Sequence, residues 1–136
     1  ISQTPLPAEG YDGAAPDSPL GPSAIDMTAV REQQVWLEAW TTPQAAAWAA
    51  QRWRWPIVAE YCRLKALIEL TPATTASLIS QLHRYRDQLG LTPAGLKENG
   101  WRIAVDETAV KRTAAKKTAR PSAKQRMSVV RNGSEG

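Results

Sequence analysis

Prolines divide the central part of this chain into short segments, and that division limits the fold more than any other feature of the sequence. They stand at positions 43, 56, 72 and 93. A proline inside a helix removes a backbone hydrogen bond and clashes with the preceding turn, whereas a proline in the first turn is favourable. Thr42-Pro43 and Thr92-Pro93 each place a capping residue before such a proline, which is typical of a helix start. The pattern predicts several short helices.

Two segments carry apolar residues at intervals of four, three and four. We predict helices over about 57–70 and 74–89, because this spacing puts side chains on one face and is typical of helices that pack side by side. A Thr-Pro pair at positions 71 and 72 separates them. The two segments predict an antiparallel helical hairpin with the following seam: Ile57, Tyr61, Leu64, Ile68, Leu78, Leu82, Tyr85 and Leu89.

Three shorter helices complete the helical prediction. The first begins near residue 28 and carries Trp36 and Trp40 one turn apart. The second is the alanine-rich run QAAAWAAQRWRW, which we expect Pro56 to end or kink. The third lies between Pro93 and Gly100, where the glycine can end the helix.

Composition separates a helical domain from two flanking segments. Residues 1–27 contain five prolines and four acidic residues without apolar periodicity, so we expect a flexible acidic leader that buries too little surface to fold. Residues 28–107 form the predicted helical domain, and residues 108–136 a flexible basic tail. Trp101 and Ile103 have the spacing of a strand, but no segment is long enough to predict a sheet. The predicted fold class is all-α.

Positive charge is concentrated in the tail. The whole chain carries a net charge of +4, which divides into −4 for residues 1–27, +1 for residues 28–110 and +7 for residues 111–136. Cations interspersed with small residues and no aromatic residue predict contacts to DNA phosphates with little readout of base sequence. The alternative is a tail that only improves solubility. The predicted DNA-binding residues are Lys111, Arg112, Lys116, Lys117, Arg120, Lys124, Arg126 and Arg131.

Five of the six tryptophans fall between residues 36 and 55. A buried indole covers ~150 to 250 Å², which is much for a core of roughly 75 residues. Three interpretations stay open. The indoles can form a Trp-rich core, pack between subunits, or stack on bases.

The sequence carries no recognisable catalytic or metal-binding motif, such as a phosphate-binding glycine loop or a His/Cys metal spacing. We expect the single histidine, His83, on the surface and the single cysteine, Cys62, as a small core residue. The neighbours Asp106 and Glu107 are expected on a solvated loop. We therefore predict a protein that is not an enzyme and has no cofactor and no metal. One cysteine and no apolar run near ~20 residues predict a reducing, non-membrane location.

The order of these motifs resembles the small terminase subunit of tailed phages, in the form found in phages and prophages of actinobacteria. The similarity covers about residues 35–104. A Trp-rich segment with a Thr-Pro and an Ala pair leads into the hairpin, which ends in Gly-Leu-Thr-Pro, eight residues before a tryptophan. Many relatives have arginines between that proline and that tryptophan, where this chain has Lys97. The matching positions are Trp36, Trp40, Thr42, Pro43, Ala46, Ala47, Tyr61, Leu64, Leu67, Gly90, Leu91, Thr92, Pro93 and Trp101.

This resemblance implies a non-catalytic DNA-packaging protein that forms a homo-oligomeric ring and binds double-stranded phage DNA. It implies delivery of that DNA to the large terminase subunit, which carries the ATPase and nuclease, in the cytoplasm of the host bacterium. The residues alone leave a second hypothesis, a helical adaptor that binds proteins and has a solubilising or non-specific DNA-binding tail. The residues predicted for the core or the oligomer interface are Trp36, Trp40, Trp48, Tyr61, Leu64, Ile68, Leu78, Leu82, Tyr85, Leu89 and Trp101.

Overall fold

The computed structural model describes residues 3–105, and these residues are mostly helical. The main feature of the predicted fold class is therefore confirmed. No helix in this part of the chain is long and apolar enough to cross a membrane. In chain order the elements are β1 (Thr4–Pro7), α1 (Asp26–Ala39), α2 (Pro43–Ala49), a 3₁₀ helix (Arg52–Arg54), α3 (Trp55–Leu70), α4 (Ala76–Gln88), α5 (Pro93–Asn99) and β2 (Trp101–Ala104).

Threonine caps set where three of the helices begin. The hydroxyl groups of Thr42, Thr75 and Thr92 each accept a hydrogen bond from the backbone N–H three residues later. Each cap satisfies a donor that the first turn of a helix leaves without a partner. A proline follows the cap in α2 and in α5, where its fixed φ suits the first turn. The helix starts predicted at Thr42-Pro43 and Thr92-Pro93 are confirmed.

Pro56 starts a helix, whereas we expected it to end or kink one. The second helix already ends at Ala49, and the 3₁₀ helix Arg52–Arg54 follows it. Pro56 then lies in the first turn of α3. In that turn the backbone N–H has no helical acceptor, so the missing donor of proline costs nothing there.

The central helix of the core is α3, which contacts α1, α4 and the 3₁₀ helix. Val58, Cys62 and Ala66, four residues apart along α3, are fully buried. A short link of five residues connects α3 to α4, and Leu82 is the buried apolar residue of α4. Seven of the eight predicted seam residues lie in the core or pack against it, whereas Leu78 is half-buried outside it. The buried residues are Tyr61, Leu82 and Leu89, and the half-buried residues packed against the core are Ile57, Leu64, Ile68 and Tyr85.

A two-stranded parallel sheet joins the two ends of the described region, and the sequence analysis did not predict it. Strand β1 pairs with β2 in the register Thr4 to Trp101 and Leu6 to Ile103. Two of the four residues in β1 are prolines, which are tolerated because an edge strand can leave donor positions unused. Leu6 is buried. A proline-rich strand with one inward-facing residue has no apolar periodicity, so the sequence pattern could not reveal β1.

The N-terminal segment, residues 3–27, lies in the same compact unit as the helices. The Tyr11 ring packs edge-on against Trp40 at 5.9 Å between centroids, and the Pro16 carbonyl accepts a 2.8 Å hydrogen bond from Trp36 Nε1. The apolar contacts and the hydrogen bond from Trp36 hold the segment on the domain, although alone it has too few apolar residues to fold. The compact unit ends at residue 104, and the predicted tail, 108–136, lies outside the described residues.

Four tryptophans and Tyr11 form an aromatic cluster inside the protomer. Trp40 is central, with ring centroids of Trp36, Trp48 and Trp55 at 5.5, 5.6 and 5.7 Å. Trp36, Trp40 and Trp48 are almost completely buried. Within the described chain these three rings therefore form a Trp-rich core.

Charged side chains connect α1 to α3. Buried Glu32 accepts a 2.7 Å hydrogen bond from Arg63, which also donates to the carbonyl of Gly21. Glu69 accepts from Arg31 at 2.6 Å and also pairs with Lys65. The hydrogen bonds from Arg31 and then Lys65 lower the pKa of Glu69 to about 2.

Candidate functional site

The residues predicted to bind DNA all lie in the tail, between Lys111 and Arg131, and therefore outside the described residues. The same holds for Asp106 and Glu107. Residues 3–105 carry nine basic and ten acidic side chains. The described domain is thus close to neutral, and the charge asymmetry of the chain comes from its last part.

The residues predicted for the core or an oligomer interface, except Leu78, lie in the core or pack against it. Seven are buried and four are half-buried, and none is exposed. Within the described chain they stabilise the protomer itself. The buried residues are Trp36, Trp40, Trp48, Tyr61, Leu82, Leu89 and Trp101, and the half-buried residues are Leu64, Ile68, Leu78 and Tyr85.

The Gly-Leu-Thr-Pro signature forms a tight turn attached to α2. The carbonyl oxygens of Leu89 and Gly90 accept hydrogen bonds from Trp48 Nε1 at 3.1 Å and Gln44 Nε2 at 2.9 Å. Gly90 has a φ of 74°, and a Cβ there would lie 2.4 Å from the ring of Trp101. Only glycine fits, because the left-handed backbone and the close indole both exclude a side chain.

Thr92 and Gly95 hold α5 against the end of α4. The Thr92 hydroxyl donates to Asp87 Oδ1 at 2.6 Å and accepts from the Gly95 N–H at 2.9 Å. A Cβ on Gly95 would lie 2.4 Å from the Asp87 carbonyl oxygen. The signature residues therefore have packing roles, and Gly95 is a constrained position that the sequence analysis missed because a glycine inside a helix gives no periodic signal.

Arg54 is an unusual buried cation that the sequence analysis also missed. It is 7% exposed, and its guanidinium lies between the rings of Trp53 and Trp101, at 4.5 and 4.8 Å from their centroids. One amino group donates to the Gln88 carbonyl at 2.6 Å, while Nε finds no hydrogen-bond partner among residues 3–105. Burial lowers the pKa of Arg54, but a guanidinium stays protonated. The alternating RWRW run was the available signal, since arginine stacks on indoles.

A cleft of about 330 Å³ opens beside Arg54. Trp53 stands at its edge and is 64% exposed. Asp87 and Glu98 also line this space, so the cleft combines an indole with acidic side chains, a chemistry suited to binding. Its lining is Trp53, Arg54, Ile57, Asp87, Gln88, Glu98 and Asn99.

The single histidine and the single cysteine are not among the residues that line this cleft. Cys62 is fully buried, and burial raises the pKa of its thiol to about 12, so it is neutral at physiological pH. Its interpretation as a small core residue is confirmed. His83 is exposed on α4, as predicted. Within residues 3–105, no group of three or more His, Cys, Asp or Glu residues is placed to hold a metal ion.

No family model, curated protein or solved structure matches this chain.

Proposed function

We propose that this chain is a phage DNA-packaging protein of the terminase small-subunit class. In this proposal it is non-catalytic, assembles into an oligomer, binds double-stranded DNA and presents it to a large ATPase–nuclease subunit in the host cytoplasm. The observation that carries the proposal is the segregation of charge. The folded domain is near neutral, whereas the last 26 residues of the sequence, 111–136, carry eight cations and one acidic residue.

The tail composition favours a polyanionic partner over a purely solubilising role. Each cation that replaces a condensed counterion on duplex DNA makes binding more dependent on salt. Eight contacts would give a slope of log K against log salt of roughly −7. A neutral domain adds little to this attraction, so the tail would supply the affinity for phosphates while the domain determines assembly.

The signature residues support the same assignment through their structural roles. Gly90, Thr92 and Trp101, on which the resemblance depends, all shape one turn rather than being scattered over the surface. We also propose that α3 and α4 form the antiparallel hairpin of that class. Arg54, directly before α3, donates to Gln88 at the end of α4, and the Arg86 guanidinium lies 6.0 Å from the Tyr61 ring. These contacts connect the start of one helix to the end of the other.

Duplex binding at several salt concentrations tests the proposal. We would measure fluorescence anisotropy with a labelled duplex for the full chain and for a variant with four tail cations changed to Gln: Lys116, Lys117, Arg120 and Lys124. The matched control changes four exposed cations of the domain: Arg52, Arg84, Lys97 and Arg102.

The tail variant should bind more weakly and lose about 3.6 units of slope, because each of the four lost phosphate contacts removes about 0.9. The control should bind like the unmodified chain. Equal effects of the two sets, or no duplex binding by the unmodified chain, would contradict the proposal.

A second candidate function is a protein-binding helical adaptor with a basic tail. The exposed Trp53 beside the cleft favours it, because exposed indoles at pockets often anchor protein partners. The same titration separates the two functions, since an adaptor with a solubilising tail would show no salt-dependent duplex binding.

A further inference from the structure

Residues 3–21, which we call the arm, lie along the rest of the domain as a proline-rich segment without a helix. Four of these residues are prolines. The Tyr11 ring packs on Trp40, and the Pro16 carbonyl accepts a hydrogen bond from the Trp36 indole. Because the contacts move towards the start of α1 as the arm continues, the arm and α1 run in opposite directions. The chain must therefore reverse direction between the two.

The domain holds the arm through groups that recognise an extended backbone. The Trp36 indole donates to the Pro16 carbonyl at 2.8 Å, and Arg63 donates to the Gly21 carbonyl. Extended proline-rich segments have no internal hydrogen bonds, so their carbonyl groups stay free, and aromatic surfaces bind them because little conformational freedom is lost. Leu6 adds a buried apolar side chain. The arm thus occupies the surface of the domain as a peptide ligand would.

A short connection joins the arm to α1. The Gly21 carbonyl is held by Arg63, and the hydroxyl groups of Ser23 and Thr28 hydrogen-bond to each other at 3.0 Å at the start of α1. Pro22, the hinge between these two fixed points, is exposed. A proline favours extended backbone in the residue before it, whereas the chain reverses direction here. A straight hinge therefore agrees better with this sequence than the reversal does.

We propose that the arm of one copy of this chain binds the domain of a second copy, in the place that the domain's own arm occupies within a protomer. Such an exchange keeps the contacts, because Trp36, Arg63 and β2 of the second copy meet the same carbonyl groups and the same strand. The arm of another copy also reproduces the required register, in which Leu6 lies beside Ile103. The hinge is the part that changes, and it becomes straight.

Each domain's own arm competes with the exchanged arm. The short hinge holds the domain's own arm at an effective concentration in the millimolar range, and the contacts are the same in both states. We therefore expect exchange to increase with protein concentration, and a straighter hinge favours it further. The inference rests on the oligomerisation part of the proposed function and assigns the connection between copies to the arm.

A reversible lock between the arm and its own domain tests the exchange. Pro5 and Arg102 are register partners in the sheet and are both exposed. Neighbouring strands lie about 4.8 Å apart, which is within reach of a disulfide. Oxidation of the double variant Pro5→Cys with Arg102→Cys in dilute solution should lock each arm in place, while Cys62 is buried and does not compete. The locked protein should stay monomeric at concentrations where the unmodified chain associates, and reduction should restore association.

Small-angle X-ray scattering over a range of concentrations would measure the association. The matched control is the same double variant alkylated in its reduced form, which carries both substitutions but no lock, and circular dichroism would verify that each form is folded. Equal association of the locked and alkylated forms overturns the exchange alone. An unmodified chain that stays monomeric at every concentration overturns oligomerisation as well. Duplex binding through the tail is measured separately and does not depend on either result.

Mixed single variants provide the second measurement. When Pro5→Cys and Arg102→Cys are combined as separate proteins, an intermolecular disulfide between positions 5 and 102 requires the arm of one copy to lie on the domain of another. The yield should rise with concentration and exceed that of the control mixture, in which His83→Cys, at an exposed site of α4, replaces Arg102→Cys. Equal yields in the two mixtures would also overturn the exchange.

Discussion

The segment from α4 to β2 is capped by residues close in sequence and attached to α2 only at Leu89 and Gly90, whereas the N-terminal segment is held mainly by residues far away. At the start of α5, Thr92 contacts Asp87 and Gly95, five and three residues distant. In the N-terminal segment, Pro16 contacts Trp36 and Thr4 pairs with Trp101. A local cap can form as soon as its few residues exist, but the N-terminal segment needs a completed domain. We therefore expect the segment to open before the rest of the unit.

The largest effect should come from Trp101→Ala, because Trp101 belongs to both regions. Its ring packs on Gly90 and on the Arg54 guanidinium, and its backbone pairs with β1. Removing a buried indole costs about 3 to 5 kcal/mol of unfolding free energy. Urea denaturation followed by circular dichroism would measure it. Trp53→Ala, at an exposed ring that stacks on the Arg54 guanidinium, should cost only about 0.5 to 1 kcal/mol, and a similar loss in both variants would contradict the assigned packing.

Leu6→Ala tests whether the N-terminal segment is part of the cooperative unit. Leu6 is buried, and truncating such a side chain costs about 2 to 3 kcal/mol where the structure cannot collapse fully onto the space. Ile25→Ala, at an exposed position in the same segment, is the matched control. If the two variants unfold at the same urea concentration, the segment is only loosely attached and the expected leader describes it better.

Gly95→Ala tests the local region by steric crowding. The new methyl group would meet the Asp87 carbonyl, and overpacking of this kind costs about 1 to 3 kcal/mol. The usual gain in helix propensity of Ala over Gly, about 1 kcal/mol, opposes it. Gly21→Ala has open space around it and should be close to neutral. A thermal melt that shows Gly95→Ala to be as stable as Gly21→Ala would exclude close packing of α5 on α4.

The smallest effect concerns a polar long-range contact, between Arg31 and Glu69. The pKa of Glu69 in the folded protein is lowered to about 2 from an ordinary value near 4.5. The ionised carboxylate therefore contributes its full stabilisation at pH values above about 4.5. This stabilisation is lost as pH falls from about 4.5 towards 2. Glu69→Gln should therefore have a shallower decline of melting temperature over that range. The effect should be modest, because the pair is partly exposed. Parallel curves for the two proteins would contradict it.

The same division between local and distant contacts explains what could be predicted from the sequence. Adjacent residues are enough to identify a helix end at Thr42-Pro43, Thr92-Pro93 and Gly100, and the helix ends there were predicted correctly. The role of Pro56 depended on where the previous helix stopped, which local pattern does not determine. Leu6 carries no signal, since one apolar residue between two prolines cannot indicate a strand whose partner lies 97 residues later.

The candidate site divides in the same way. The seam residues were found because they repeat along two helices. Arg54 could not be identified as buried, because its environment is built by Trp53 beside it and by Trp101 and Gln88 from distant elements. From the sequence alone, some tryptophans could have needed an oligomer interface to be buried. The N-terminal segment, whose contacts with Trp36 and Trp40 no sequence pattern indicated, contributes part of that burial within the protomer.

The pairing of β1 with β2 also determines the order in which this domain can be completed. During synthesis β1 leaves the ribosome first, yet its partner is made 97 residues later, so the strand waits unpaired while the helices form. Closing such a long loop slows folding more than it weakens stability. We therefore expect the aromatic cluster to assemble first around α1, α2 and α3, and the N-terminal segment to join it last, as the step that completes the domain.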